Sequence, residues 1–119
     1  MTLQECYAAM DGDYNGVLGR LGSERMVQKF ALKFLNDPSY DNLIKAMEEE
    51  NYEEAFRAAH TIKGVCQNLD FTRLLNSSHE LCEMLRSKTR PDEAAFEQVK
   101  SDYQKTTDAI REFQDSLNT

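Results

Sequence analysis

The stretch PDEAAFEQVKSDYQKTTDAIREFQDSL, residues 91–117, sets Phe96, Val99, Tyr103, Thr106, Ile110, Phe113 and Leu117 at alternating spacings of three and four. That spacing is the seam of a packed α-helix, because at about 3.6 residues per turn it keeps one face apolar. Pro91 marks the start, and Asp92 and Glu93 in the first turn complement the helix dipole. A helix over 92–117 is predicted. Upstream, Phe71, Leu74, Leu75, Ser78, Leu81, Cys82 and Leu85 form a second stripe of the same period, closed by residues 87–90. Two helices joined by so short a connection run antiparallel.

Working outward, Asn51 reads as an N-cap with Glu54 at capping-box spacing. It opens a helix through about Asn68 whose seam is Tyr52, Ala55, Ala59, Ile62, Cys66 and Leu69. Asp37 and Pro38 start a shorter helix carrying Tyr40, Leu43, Ile44 and Met47, and Ser23 opens another with Met26, Val27, Phe30, Phe34 and Leu35 facing inward. At the N-terminus, Thr2 and Glu5 have the spacing of a capping box for a short helix, and residues 12–22 read as a glycine-interrupted segment. Five Gly and two Pro leave little turn chemistry, and no stretch alternates in the manner of a strand. The predicted fold is all-α, an antiparallel up-and-down four-helix bundle with an additional short N-terminal helix packed across it. The chain is expected to form one domain over 1–119, with 1–36 as a helical cover and 37–119 supplying the bundle.

The composition restricts the function classes. With 119 residues, 40% hydrophobic, one core is affordable and a second domain is not. The 14 basic and 21 acidic residues give a formal charge of −7, which repels phosphate backbones and argues against nucleic acid or an anionic membrane as the main partner. Apolar runs are only a few residues long and the first residues lack a basic leader, so a cytoplasmic protein without a membrane span is expected. Cys6, Cys66 and Cys82 are scattered without CxxC spacing and read as reduced core thiols.

Several motif matches fail on chemistry. Residues 11–16, DGDYNG, fit the start of a calcium loop, but its twelfth position, where a bidentate Glu is needed, is Gly22; a turn before a helix is the better reading. Gly16, Gly19 and Gly22 follow no strand and precede no Gly-Lys-Ser/Thr, so there is no recognisable ATP site. Asn76-Ser77-Ser78 fits a glycosylation pattern inside a predicted helix, and Glu24, Glu48, Glu49 and Glu50 read as solvated helix faces. The cysteines sit on core stripes and the two histidines on different helices, which leaves no nucleophile–base pair for a hydrolase.

The informative stretch is AAHTIKGVCQNL, residues 58–69. At about 100° per residue, His60 points about 130° from the centre of its helix's seam, toward solvent. Lys63 and Gly64 lie three and four positions on, beside His60, and Gln67 follows one turn later. A mid-helix glycine costs about 1 kcal/mol against alanine, and clearance beside an exposed imidazole is the simplest reason for it. Imidazole is a nucleophile near neutral pH, its ordinary pKa being about 6.5, and its phosphoramidate is reactive enough to pass the group onward. Phe56, one turn before His60, falls at the boundary between core and surface.

The segment His60-Thr61-Ile62-Lys63-Gly64, with Leu69 nine positions after the histidine, resembles the signature of histidine-containing phosphotransfer (HPt) domains. Length, acidic character, an N-terminal helical cover and a helical hairpin before the C-terminal helix agree with that resemblance. One departure is visible: the family usually ends this helix with glycine, whereas Leu69 is followed here by Asp70 and Phe71. The resemblance implies a phosphorelay carrier in which His60 accepts a phosphoryl group from a receiver-domain aspartyl phosphate and passes it to another receiver. Lys63 would stabilise the group, Gly64 would give it room, and Phe56 and Gln67 would belong to the partner-binding surface.

The same resemblance implies no metal or cofactor on this chain, since Mg²⁺ would sit on the receiver, and no autokinase activity. The expected partners are response-regulator receiver domains, with a hybrid histidine kinase as a further candidate, and the chain is expected to be a monomer. The alternative is a non-catalytic helical adaptor that binds signalling partners. His79-Glu80-Leu81 resembles the opening of a sensor-kinase phosphoacceptor box, but no Thr-Pro follows, so His79 reads as an exposed helix residue.

Overall fold

The computed structural model describes residues 1–118. It contains α1 (Leu3–Ala9), α2 (Tyr14–Leu21), α3 (Glu24–Lys33), a 3₁₀ turn (Phe34–Asn36), α4 (Ser39–Glu48), α5 (Tyr52–Leu69), α6 (Thr72–Leu85) and α7 (Glu93–Leu117), with no strand among the described residues. Thr119, the last residue of the expected bundle, lies outside them. Helices α4 to α7 form the antiparallel bundle, each packed on its successor in the chain, while α1 lies along α7 and α3 touches both α5 and α7. At about 1.5 Å per residue, the 25 residues of α7 run most of the 44 Å long axis. No described helix is long and apolar enough to cross a membrane.

The helix starts follow from side-chain caps. Thr2 and Glu5 form a reciprocal capping box, while Asp13, Ser23 and Asn51 accept the N–H of Gly16, Met26 and Glu54. Each satisfies an amide that the helix itself leaves free. Two starts differ from the expectation. Asp92 lies outside the first turn of α7 and caps it, accepting the Ala94 N–H at 3.0 Å. At Asn51 only the forward half of the box forms, because the Glu54 carboxylate bonds Arg57 instead.

The larger correction concerns residues 12–22. Instead of an interrupted segment, residues 14–21 form a helix through both Gly16 and Gly19. Asp13 caps its start, Val17 is fully buried, and Gly22 ends it in the left-handed region at φ 88°. Gly12 fits against the Tyr7 ring, where a Cβ would stand 2.8 Å from a ring carbon. Tertiary packing thus outweighs the low helix propensity of two glycines.

The core joins cover and bundle through aromatic rings. Phe71, in the α5–α6 turn, packs against Tyr7 at 5.6 Å and Phe34 at 5.2 Å between ring centroids, and Phe34 continues to Tyr103 at 5.9 Å. Burying the rings of Tyr7, Phe34 and Phe71 contributes roughly 1.5–3 kcal/mol each, while Tyr103 is only half-buried. The predicted stripes of α5 and α6 are buried except for half-buried Tyr52 and Leu75, and all three cysteines are buried. Burial pushes the Cys6 thiol up to about 12. Two residues expected to face inward do not: Met26 is 37% exposed and Leu117 47% exposed. Met26 lies about 100° around the helix from buried Val27, and Leu117 is the last residue of α7.

Candidate functional site

Helix α5 carries the site. Ala55, Ala58, Ala59, Ile62, Cys66 and Leu69 are buried against the neighbouring helices, which fixes the rotation of α5 and turns His60 and Gln67 to solvent. Lys63, Gly64 and Phe56 are half-buried on the same side. The structure therefore brings all five predicted residues onto one face, within about 60° of His60 by helical rotation.

At its far end α5 stops in the left-handed conformation at Asp70, with φ 54° and ψ 41°. Asp70 does there what glycine does at many helix ends: its N–H closes onto the Cys66 carbonyl. Its carbonyl accepts the Asp13 N–H at 2.9 Å, and Arg20 approaches its carboxylate at 3.4 Å. The departure from the HPt pattern thus leaves the helix exit intact.

Around His60 the chemistry is sparse. Its imidazole makes no hydrogen bond with another described residue, and its ring contact is with Phe56, 6.0 Å between centroids and tilted by 42°. Lys63 forms no ion pair within 4.0 Å among the described residues. Burial raises the Cys82 thiol and the Arg86 hydrogen bond lowers the Glu83 carboxyl on α6, and the Lys63 ammonium adds a smaller pull toward the charged form of each. Arg57, on the other flank, is engaged by Glu54 at 2.5 Å and Glu53 at 3.5 Å. Lys63 is accordingly a cation left available beside the exposed imidazole, a local positive feature on a chain of net charge −7.

Gly64 has no internal reason to be glycine. It lies mid-helix, and a Cβ built there meets nothing within 4 Å. The space is needed by something outside the fold or it is not needed at all.

Sequence reasoning missed the contribution of α6. Arg86, its C-cap, places its guanidinium 5.4 Å from the Phe56 ring centroid, and Glu83 holds that guanidinium through contacts of 3.2 and 2.9 Å. The hydrogen bond from Arg86, then its charge, keeps the Glu83 carboxyl below the usual range. A signal was present: in an antiparallel hairpin, residues equally far from the turn face each other, and Phe56 and Arg86 each lie 15 positions from Phe71 in that turn. His79 is exposed on α6 and makes no ring contact with His60. Among the described residues no group of three or more His, Cys, Asp or Glu gathers as a metal site.

The model of the Hpt domain family matches residues 36–115, well over half of the chain, and the chain belongs to that family. Hpt domains are histidine phosphotransfer carriers of phosphorelays and interact with receiver domains of response regulators and kinases. No curated protein and no solved structure matches the chain significantly.

Proposed function

We propose that His60 is the phosphoacceptor and that the chain relays a phosphoryl group between two receiver domains. The observation that carries this reading is the pairing of an exposed, unbonded imidazole with a glycine one turn on whose clearance the fold itself does not use. A ring nitrogen lone pair attacks phosphorus of the receiver's aspartyl phosphate. The P–O bond to the carboxyl breaks, leaving a free carboxylate, a P–N bond forms, and the proton on the second ring nitrogen passes to solvent. Passing the group to a second receiver reverses these events. Lys63, unpaired and adjacent, neutralises charge on the phosphoryl oxygens. Phe56 and Gln67 offer the contact surface, and the Mg²⁺ that phosphoryl transfer requires is supplied by the receiver.

The test is incubation with an aspartate-phosphorylated receiver and Mg²⁺, followed by intact mass, for wild type and His60→Gln. An acid-labile, base-stable phosphate on wild type alone is expected. Label on both proteins would move the site to His79, and no label with any of several receivers would favour a non-catalytic adaptor. Lys63→Ala should slow transfer by on the order of tenfold without unfolding the bundle.

A further inference from the structure

Deepening that reading, and resting on it, we infer that Arg86 is a positioning residue for His60, acting through the ring of Phe56. His60 is exposed and unbonded among the described residues, so its χ1 is free to exchange between the two staggered wells a helix allows. Among the described residues, the ring that leans on it is Phe56, at 6.0 Å. Phe56 is itself only half-buried, and the cation of Arg86 stands at 5.4 Å over its ring. A guanidinium over an aromatic face is attracted by the ring quadrupole and stacks on it, which restricts the ring more than an aliphatic neighbour would.

Arg86 is long and its side chain 58% exposed, so left alone it would sample many rotamers. Three features hold it. Glu83, one turn back, takes its Nε and one terminal nitrogen in a two-point fork at 3.2 and 2.9 Å. Its backbone N–H is bonded to the Glu83 carbonyl, which ends α6 at this point. The negative end of the α6 dipole also favours a cation there. The result is a chain of contacts, Glu83 to Arg86 to Phe56 to His60, running from the end of one helix to the reactive face of the next. Its product is a narrower set of imidazole orientations, set before any receiver arrives.

The test compares wild type, Arg86→Ala, Arg86→Lys, Phe56→Leu and the Phe56→Leu/Arg86→Ala double variant, each as the full chain. Two quantities are read: the transfer rate from a phosphorylated receiver, and the NMR resonances and χ1 couplings of the His60 ring in the free protein. Arg86→Ala should lose about fivefold in rate and broaden the χ1 distribution of His60, with Arg86→Lys recovering only part of both, because an ammonium cannot form the two-point fork with Glu83 or stack on the ring. In the Phe56→Leu background, Arg86→Ala should add nothing further. Unmoved His60 resonances in Arg86→Ala, or the same loss in both backgrounds, would overturn the inference by showing that Arg86 acts without Phe56. Absence of transfer to wild type would instead overturn the phosphoacceptor reading, and the ring resonances would still decide whether Arg86 orients His60.

Discussion

The Tyr7 hydroxyl donates a 2.8 Å hydrogen bond to the carbonyl of Leu69, tying the first helix of the chain to the last turn of the helix that carries His60. Tyr7 is fully buried and lies outside residues 36–115, so an element beyond the family match helps fix the end of α5. Burial, the largest cause, raises the phenol pKa well above its usual value, which keeps the group a donor.

Tyr7→Phe retains the ring contacts with Phe71 and Tyr14 and removes only this donor. Leaving a buried carbonyl short of a partner should cost about 1–2 kcal/mol. Urea unfolding would show this as a lower midpoint at constant slope, with faster amide exchange in the last turn of α5. An unchanged midpoint would mean that water replaces the hydroxyl without penalty.

Asp70 provides a sharper comparison. At φ 54° a Cβ is strained, and glycine is the residue that relieves it. The Arg20 pair lost on substitution is partly exposed and no closer than 3.4 Å, so it contributes little. Asp70→Gly should therefore be neutral or stabilising by up to about 1 kcal/mol, and Asp70→Ala destabilising by about 1–2 kcal/mol. Equal thermal midpoints for the two variants would show that the left-handed geometry does not limit stability here.

What was legible in the sequence was what local chemistry decides. The stripes of α5, α6 and α7 and the caps at Thr2, Ser23, Asn51 and the Asp92 end of α7 depend on residues within a turn or two of one another. The same helical count turned His60 outward and left Phe56 at the boundary. What was not legible depends on tertiary contacts. Helix α2 runs through its glycines because Gly12 seats against Tyr7 and Val17 is buried. Arg86 reaches Phe56 only because the α5–α6 hairpin closes in one register. Asp70 stands where HPt domains usually have glycine because short polar side chains tolerate the left-handed region.

A second long-range tie is electrostatic. Arg73 on α6 bonds Asp11, at the end of α1, through Nε at 2.6 Å, and its guanidinium also reaches buried Asp102 on α7 at 3.7 Å. The hydrogen bond from Arg73, then its charge, holds the Asp11 carboxyl below its ordinary value of 3.8. A lowered carboxylate pKa contributes stability above the unfolded value and loses it as pH falls through the folded one. Asp11→Asn keeps a residue that accepts the left-handed φ of 56° and removes the charge. Stability curves of the two proteins should separate above pH 3.8 and converge in acid below it. Parallel curves across that range would mean that the pair is fully screened by solvent.

Gly64 separates the requirements of the fold from those of the site. Nothing lies within 4 Å of a Cβ built there, so Gly64→Ala removes backbone entropy from the unfolded chain without an internal clash. The helix should gain up to about 1 kcal/mol, read as a higher urea midpoint. Gly64→Gln should also fold at least as well, since its side chain projects from a half-exposed position one turn from His60. If the clearance serves a docking receiver, the two variants part company in the transfer assay: alanine slows phosphoryl exchange modestly and glutamine nearly abolishes it, while both remain as stable as wild type or more so. A glutamine variant that exchanges phosphate at the wild-type rate would show that the space beside His60 has no function, and a loss of stability in either variant would show that the fold needed the glycine after all.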